Sequence, residues 1–144
     1  NIAGGEAEFT KWGWKHLIQN RCIDIAQPEV CGMGGITEYL KILALAQTNF
    51  IPVVNHVWGS ALSIAVNLHL LTAMPDMPGG LFPSKPMLEF DTTDNNIFIS
   101  DLTEEKFDIF DQVKNNNGFV KALEGHGIGL NPSKDFIKKY EVTK

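Results

Sequence analysis

Apolar residues recur along the chain in short runs, each followed by a longer stretch with helical spacing. Residues 1–6, NIAGGE, read as the end of a strand entering a glycine turn, and Thr10 can cap a helix running to about Asn20. CIDIA at 22–26 is a short strand, QPEVCGMGG a loop, and ITEYLKILALAQTN a helix with apolar residues at 36, 40, 42, 43 and 45. IPVVN at 51–55 is the next strand and SALSIAVNLHLLTA the next helix. Proline and glycine punctuate 75–86, and MLEFD at 87–91 is a further strand. The order is β-α-β-α-β-α-β, with strands near residues 2, 23, 52 and 88. After residue 96 the texture changes. SDLTEEKFDIFDQVKNNNG gives a short, acidic-starting helix and a polar turn, GFVKAL a candidate strand, EGHGIGLNPS a glycine-rich turn, and SKDFIKKYEV a terminal helix or tail.

Alternation of this kind predicts parallel β/α units, in an open doubly wound sheet or in part of a (β/α)8 barrel. No GxGxxG occurs at a strand-to-helix turn, which gives a dinucleotide-binding sheet little support. A complete barrel takes about 250 residues. At 144 residues the chain holds a real core but matches half a barrel, so it reads as a piece of a longer protein, in keeping with its start at Asn1. A net charge of −5 argues against a nucleic-acid or anionic-membrane surface. No apolar run reaches the roughly 18 residues of a membrane span. Cys22 and Cys31 form no CxxC and fit a reduced, cytoplasmic chain.

In parallel β/α folds ligands meet the carboxyl ends of the strands. Glu6 follows the first strand; Gln27, Pro28 and Glu29 follow the second; Asn55 and His56 follow the third; Glu89 stands at the fourth, with Asp91 two residues on. Acids or an imidazole at four equivalent positions converge on one mouth. Asp24, inside its strand, reads as structural. His69 reads as a helix-packing residue, His16 as exposed, and Trp12 and Trp14 as helix-to-barrel packing, while Gly34 and Gly35 supply backbone freedom in a tight loop.

The segments GGE, DIAQPEVCGMGGITEYLKILALA, PVVNHVWGS and MLEFD together resemble the carboxyl-terminal half of the enolase superfamily, in its mandelate racemase/muconate lactonizing subgroup. The likeness runs from about residue 2 to 96 and more loosely beyond, where GHGIGL resembles the terminal glycine-rich turn of the family. HVWGS followed by LEFD looks most like acid-sugar enzymes, either dehydratases or the galactarolactone cycloisomerase type.

The resemblance implies an α/β fold, the second half of a (β/α)8 barrel over residues 1–115, with residues 116–144 returning to a capping domain. It also implies Mg²⁺-dependent abstraction of the proton alpha to a substrate carboxylate, most simply by an acid-sugar dehydratase. A racemase, a lactone cycloisomerase or a non-catalytic relative are the alternatives. By this likeness Glu6 matches a metal ligand and His56 the strand-seven base. Glu29 stands where the family has an aspartate bonded to that imidazole, and Glu89 matches the acid that donates to the substrate carboxylate. Asn55 and Trp58 flank the base as substrate-contacting candidates, Trp58 either lining the pocket or packing under the loop. The remaining metal ligands and a second base would lie upstream. The expected partners are a small acid-sugar substrate and either a second copy of the chain or the rest of the barrel, with no nucleic acid and no membrane.

Overall fold

The computed structural model describes residues 1–75, 85–93 and 96–142. Most of the proline- and glycine-rich stretch expected at 75–86 lies outside the described residues. Two compact units divide the chain. The first is Asn1–Val57 with Leu70–Phe90, and the second is Trp58–His69 with Asp91–Lys144.

The first unit is built on parallel pairing. Strand β1 (Ala3–Gly4) pairs with β2 (Ile25–Ala26), Ala3 opposite Ile25 and Gly4 opposite Ala26. Single parallel bridges continue the row from Ala26 to Val53 and from Asn55 to Leu88. The first two expected strands are therefore present as a two-stranded ladder, and the third and fourth are reduced to single bridging residues at Val53, Asn55 and Leu88. Backbone bonds fix their register: the Gln27 amide donates to the Gly4 carbonyl, Val54 to Ala26 and Glu89 to Asn55, each at 2.9 Å. Asp24, read as structural, accepts from the Ile2 amide at 2.7 Å and ties down the start of β1.

Helix α1 (Thr10–Gln19) starts at Thr10 as expected, but Thr10 has φ 54° and lies outside helical space, its hydroxyl reaching the Trp12 amide at 3.4 Å. Trp14 is fully buried, whereas Trp12 is 67% exposed beneath the Lys11 ammonium. Two positions apart on a helix face nearly opposite ways, so one of the pair meets the core and the other solvent. Helix α2 (Ile36–Thr48) buries Tyr39, Ile42, Leu43 and Ala46 and leaves Ile36 and Leu40 half exposed. The buried stripe is thus rotated from the one expected through 36 and 40, because Tyr39 and Ala46 complete the i, i+3, i+4, i+7 spacing.

Two side-chain anchors join α2 to the unit. Glu38, the glutamate of the GGITE run, accepts from the Lys11 backbone N–H at 2.8 Å and pairs with the Lys11 and Lys41 ammonium groups at 3.3 and 2.8 Å. The Lys41 ammonium and then the Lys11 amide hold its carboxyl at about 2, below the ordinary 4.5. Tyr39 donates its hydroxyl to Asn55 Oδ1 at 2.7 Å, and burial pushes the phenol up to about 12, keeping it a neutral donor.

In the second unit, helix α3 (Ala61–Ala73) contributes residues up to His69, its final turn belonging to the first. His69 Nε2 meets the Ile128 carbonyl at 3.1 Å, in its expected packing role. Short helices α4 (Ile97–Ser100), α5 (Ile109–Asn115) and α6 (Lys134–Tyr140) follow. Asn96 caps α4 and Ser133 caps α6. The single acidic-starting helix expected after Ser100 is therefore only α5. The intervening chain turns to form an antiparallel bridge between Thr103 and Pro132. GFVKAL is no strand: the Gly118 and Phe119 amides donate to the Val113 and Asn116 carbonyls and the Lys121 amide to the Gln112 side chain, so its backbone bonds back onto α5 and its C-terminal turn and not onto a neighbouring ladder. Among the described residues no helix is long and apolar enough to cross a membrane.

Glu38→Gln is expected to lower the unfolding midpoint in urea at pH 7. The folded pKa of Glu38 lies below its unfolded value, so its contribution is full above about 4.5 and is lost as pH falls towards 2. The gap between wild type and variant should therefore close across that window; a gap constant down to pH 2 would exclude the charge as its cause. Tyr39→Phe removes the buried donor to Asn55 and should cost about 1–2 kcal/mol in the same assay.

Candidate active site

The site forms where the four parallel segments stop. Gly5, with φ 109°, turns the chain out of β1, and a Cβ there would overlap the Trp14 ring. That glycine presents Glu6 just past the end of β1. Gln27 comes directly after β2. His56 and Glu89 follow the Asn55–Leu88 bridge, and the His56 amide donates to the Pro28 carbonyl at 3.2 Å. Parallel strands leave their ladders in the same direction, so these side chains share one end of the sheet.

There the imidazole of His56 lies between two carboxylates. Nδ1 is 2.9 Å from Glu89 Oε2, and Nε2 is 3.2 Å from Glu6 Oε2. The ring is mostly covered, its side chain 16% exposed, whereas Glu6 and Glu89 are 61% and 48% exposed. Gln27 donates its amide to the same Glu89 oxygen at 2.8 Å. An ionised carboxylate only accepts, so each contact to the imidazole is a hydrogen bond only where the ring nitrogen carries a hydrogen. A doubly protonated ring bridges both acids. A ring protonated at Nδ1 alone keeps Glu89 and presents the Nε2 lone pair on the side of Glu6.

The other candidates sit elsewhere. Glu29 folds back on its own loop, where its two oxygens accept from the Cys31 and Gly32 backbone amides. The pairing of Glu29 with the imidazole that the family likeness implies is not the pairing found, because both ring nitrogens face Glu6 and Glu89. Asn55, a substrate-contacting candidate by sequence, is fully buried with its amide oxygen on Tyr39, which makes it an anchor of the third segment. Trp58 belongs to the second unit. It is 75% exposed, and its indole N–H donates to Asp91 Oδ2 at 3.1 Å. The Thr93 amide and hydroxyl, with that indole, hold Asp91 below the usual carboxylate range. Gln27 was visible in the sequence as a strand-end residue, but nothing there linked it to Glu89.

Magnesium takes oxygen donors and keeps several waters, using one or two protein carboxylates at a time. Glu6 is an exposed carboxylate of that kind. Among the described residues no three His, Cys, Asp or Glu side chains are gathered closely enough to hold a metal by themselves. The residues present fit as one ligand of a shared coordination shell.

A family model described as enolase C-terminal domain-like matches residues 1–136. D-galactarolactone cycloisomerase of Agrobacterium fabrum strain C58 is 32% identical over 98% of this chain and 35% of the relative. Arabinonate dehydratase of Saccharolobus solfataricus is 26% identical over 97% of the chain and 33% of the relative. The chain thus spans about a third of the length of the curated relatives it matches. Among solved structures, the 3,6-anhydro-D-galactonate cycloisomerase of Zobellia galactanivorans superposes with a TM-score of 0.76 at 33% identity, over 96% of this chain and 35% of that one. An enolase superfamily member from Salmonella Typhimurium gives 0.77 at 28% identity, over 95% and 31%. The α/β fold is accordingly the carboxyl-terminal part of a (β/α)8 barrel, and the chain belongs to the enolase C-terminal domain-like family.

Proposed function

We propose that the protein carrying this chain abstracts the proton alpha to the carboxylate of an acid sugar, with His56 as the base, and then eliminates water across the alpha and adjacent carbons. The observation that supports this reading is the His56 imidazole set 3.2 Å from Glu6 at the strand ends. With its hydrogen at Nδ1, the ring offers the Nε2 lone pair to a substrate C–H. The electrons of that bond move toward the substrate carboxylate, giving an enediolate, and His56 becomes a cation beside Glu89. The proton it has taken is then available to the departing β-hydroxyl, which leaves as water. A magnesium ion with Glu6 among its ligands would supply positive charge to the developing enediolate.

Cycloisomerisation is the second reading, favoured by the two relatives above 30% identity, both cycloisomerases by name. It begins with the same alpha-proton abstraction, but the leaving group is a ring oxygen of the substrate that stays attached to the product and the proton is returned to the substrate, so the formula is unchanged and product analysis separates the two.

The test uses the full-length protein with Mg²⁺ on arabinonate, D-galactarolactone and 3,6-anhydro-D-galactonate. His56→Asn should lower kcat by about 100-fold or more, the range typical of a lost general base. Glu6→Gln should raise the Mg²⁺ concentration needed for half-maximal rate. Wild-type turnover by His56→Asn would overturn the assignment of the base.

A further inference from the structure

We infer that in this protein Glu89, steadied by Gln27, orients the His56 imidazole, and that Glu29 instead clamps its own loop. This rests on the reading of His56 as the base.

The chemistry of the contacts carries it. An ionised carboxylate has no hydrogen to give, so the 2.9 Å contact between Glu89 Oε2 and Nδ1 is a hydrogen bond only with a ring hydrogen on Nδ1; Nε2 stands 3.2 Å from Glu6 Oε2, and of the two acids Glu89 is the nearer and the one that Gln27 also holds. Glu89 is half exposed, and a glutamate held by one bond keeps several rotamers. The Gln27 amide supplies a second donor to the same oxygen at 2.8 Å, which fixes how the carboxylate is turned. The backbone of each of the three residues is held by one bond from its amide to a neighbouring segment. The Gln27 amide donates to Gly4, the His56 amide to Pro28 and the Glu89 amide to Asn55. Each residue of the relay thus stands one position past a paired residue, with its amide bonded to a neighbouring segment.

Glu29 has the opposite surroundings. Its carboxylate spans the Cys31 and Gly32 amides, two and three residues ahead in the same loop. To reach the imidazole it would have to give up both donors. The Glu29 side chain closes the loop, and the orienting role passes to the acid at the end of the fourth segment. Glu89 and Gln27 are thus positioning residues that act through His56.

The test labels the full-length protein with ¹⁵N-histidine. Of the four histidines, the His56 signals are assigned by their loss in His56→Asn. On the neutral ring, Nδ1 should carry the hydrogen in wild type and in Glu29→Gln. In Glu89→Ala and Glu89→Leu, two variants chosen so that one misfolded protein does not end the test, the ring should move to the Nε2–H form or a mixture. In turnover with arabinonate and 3,6-anhydro-D-galactonate as probes, Gln27→Leu should lower kcat by about tenfold with KM within about twofold, as a small misplacement does. In the Glu89→Ala background the same change should add nothing further. A tautomer that responds to Glu29→Gln and not to the Glu89 variants would overturn the inference, as would additive effects of Gln27 and Glu89. The tautomer measurement needs no turnover, so failure of the enolisation reading would show as inactivity with the Glu89 response intact.

Discussion

Short parallel pairing is the constraint on which the rest of this structure depends. A ladder of one or two residues per strand gives little stability by itself, but it sets the level at which each segment ends. Glu6, Gln27, His56 and Glu89 each leave the sheet within a residue or two of their last pairing. Had any segment slipped by one residue, its side chain would point to the other face of the sheet and the imidazole would lose a partner. The stability that keeps the register comes from elsewhere: the buried Trp14, the α2 stripe and the Tyr39–Asn55 bond beneath the third strand.

The site is electrostatically asymmetric. Two carboxylates and one imidazole cannot all be satisfied with a single ring hydrogen, so the arrangement depends on where protons and cations sit. Glu89 is also held by Gln27, whereas Glu6 is the more exposed of the two acids. The acid with the extra partner suits a fixed orienting role, and the exposed acid suits an exchangeable ligand. That division of labour links the local hydrogen bonds to the chemistry proposed for the family member as a whole.

Much of this was legible in the sequence. The four strands follow from apolar runs bounded by glycine and proline, and the shared strand-end level follows from parallel connection. The place of Glu6, His56 and Glu89 at one end of the sheet was readable for the same reason. Other features were not, because they depend on side-chain reach. Glu29, which the family likeness sets beside the imidazole, accepts instead from its own loop amides. Asn55 precedes the base, and alternation along an extended segment turns it away from His56 into the core, where it bonds Tyr39. The bond from Gln27 to Glu89 spans 62 residues of sequence and leaves no periodic mark. GFVKAL has strand composition yet finds no edge to pair with, and composition alone does not supply one.

The most direct test is whether the full-length protein, with Mg²⁺ in deuterated water, exchanges the hydrogen alpha to the carboxylate of arabinonate or 3,6-anhydro-D-galactonate. The account predicts deuterium at that carbon, in substrate or in product, for the wild-type protein and none above background for His56→Asn. Incorporation that persists in His56→Asn, or turnover by the wild type with the alpha hydrogen retained, would contradict it.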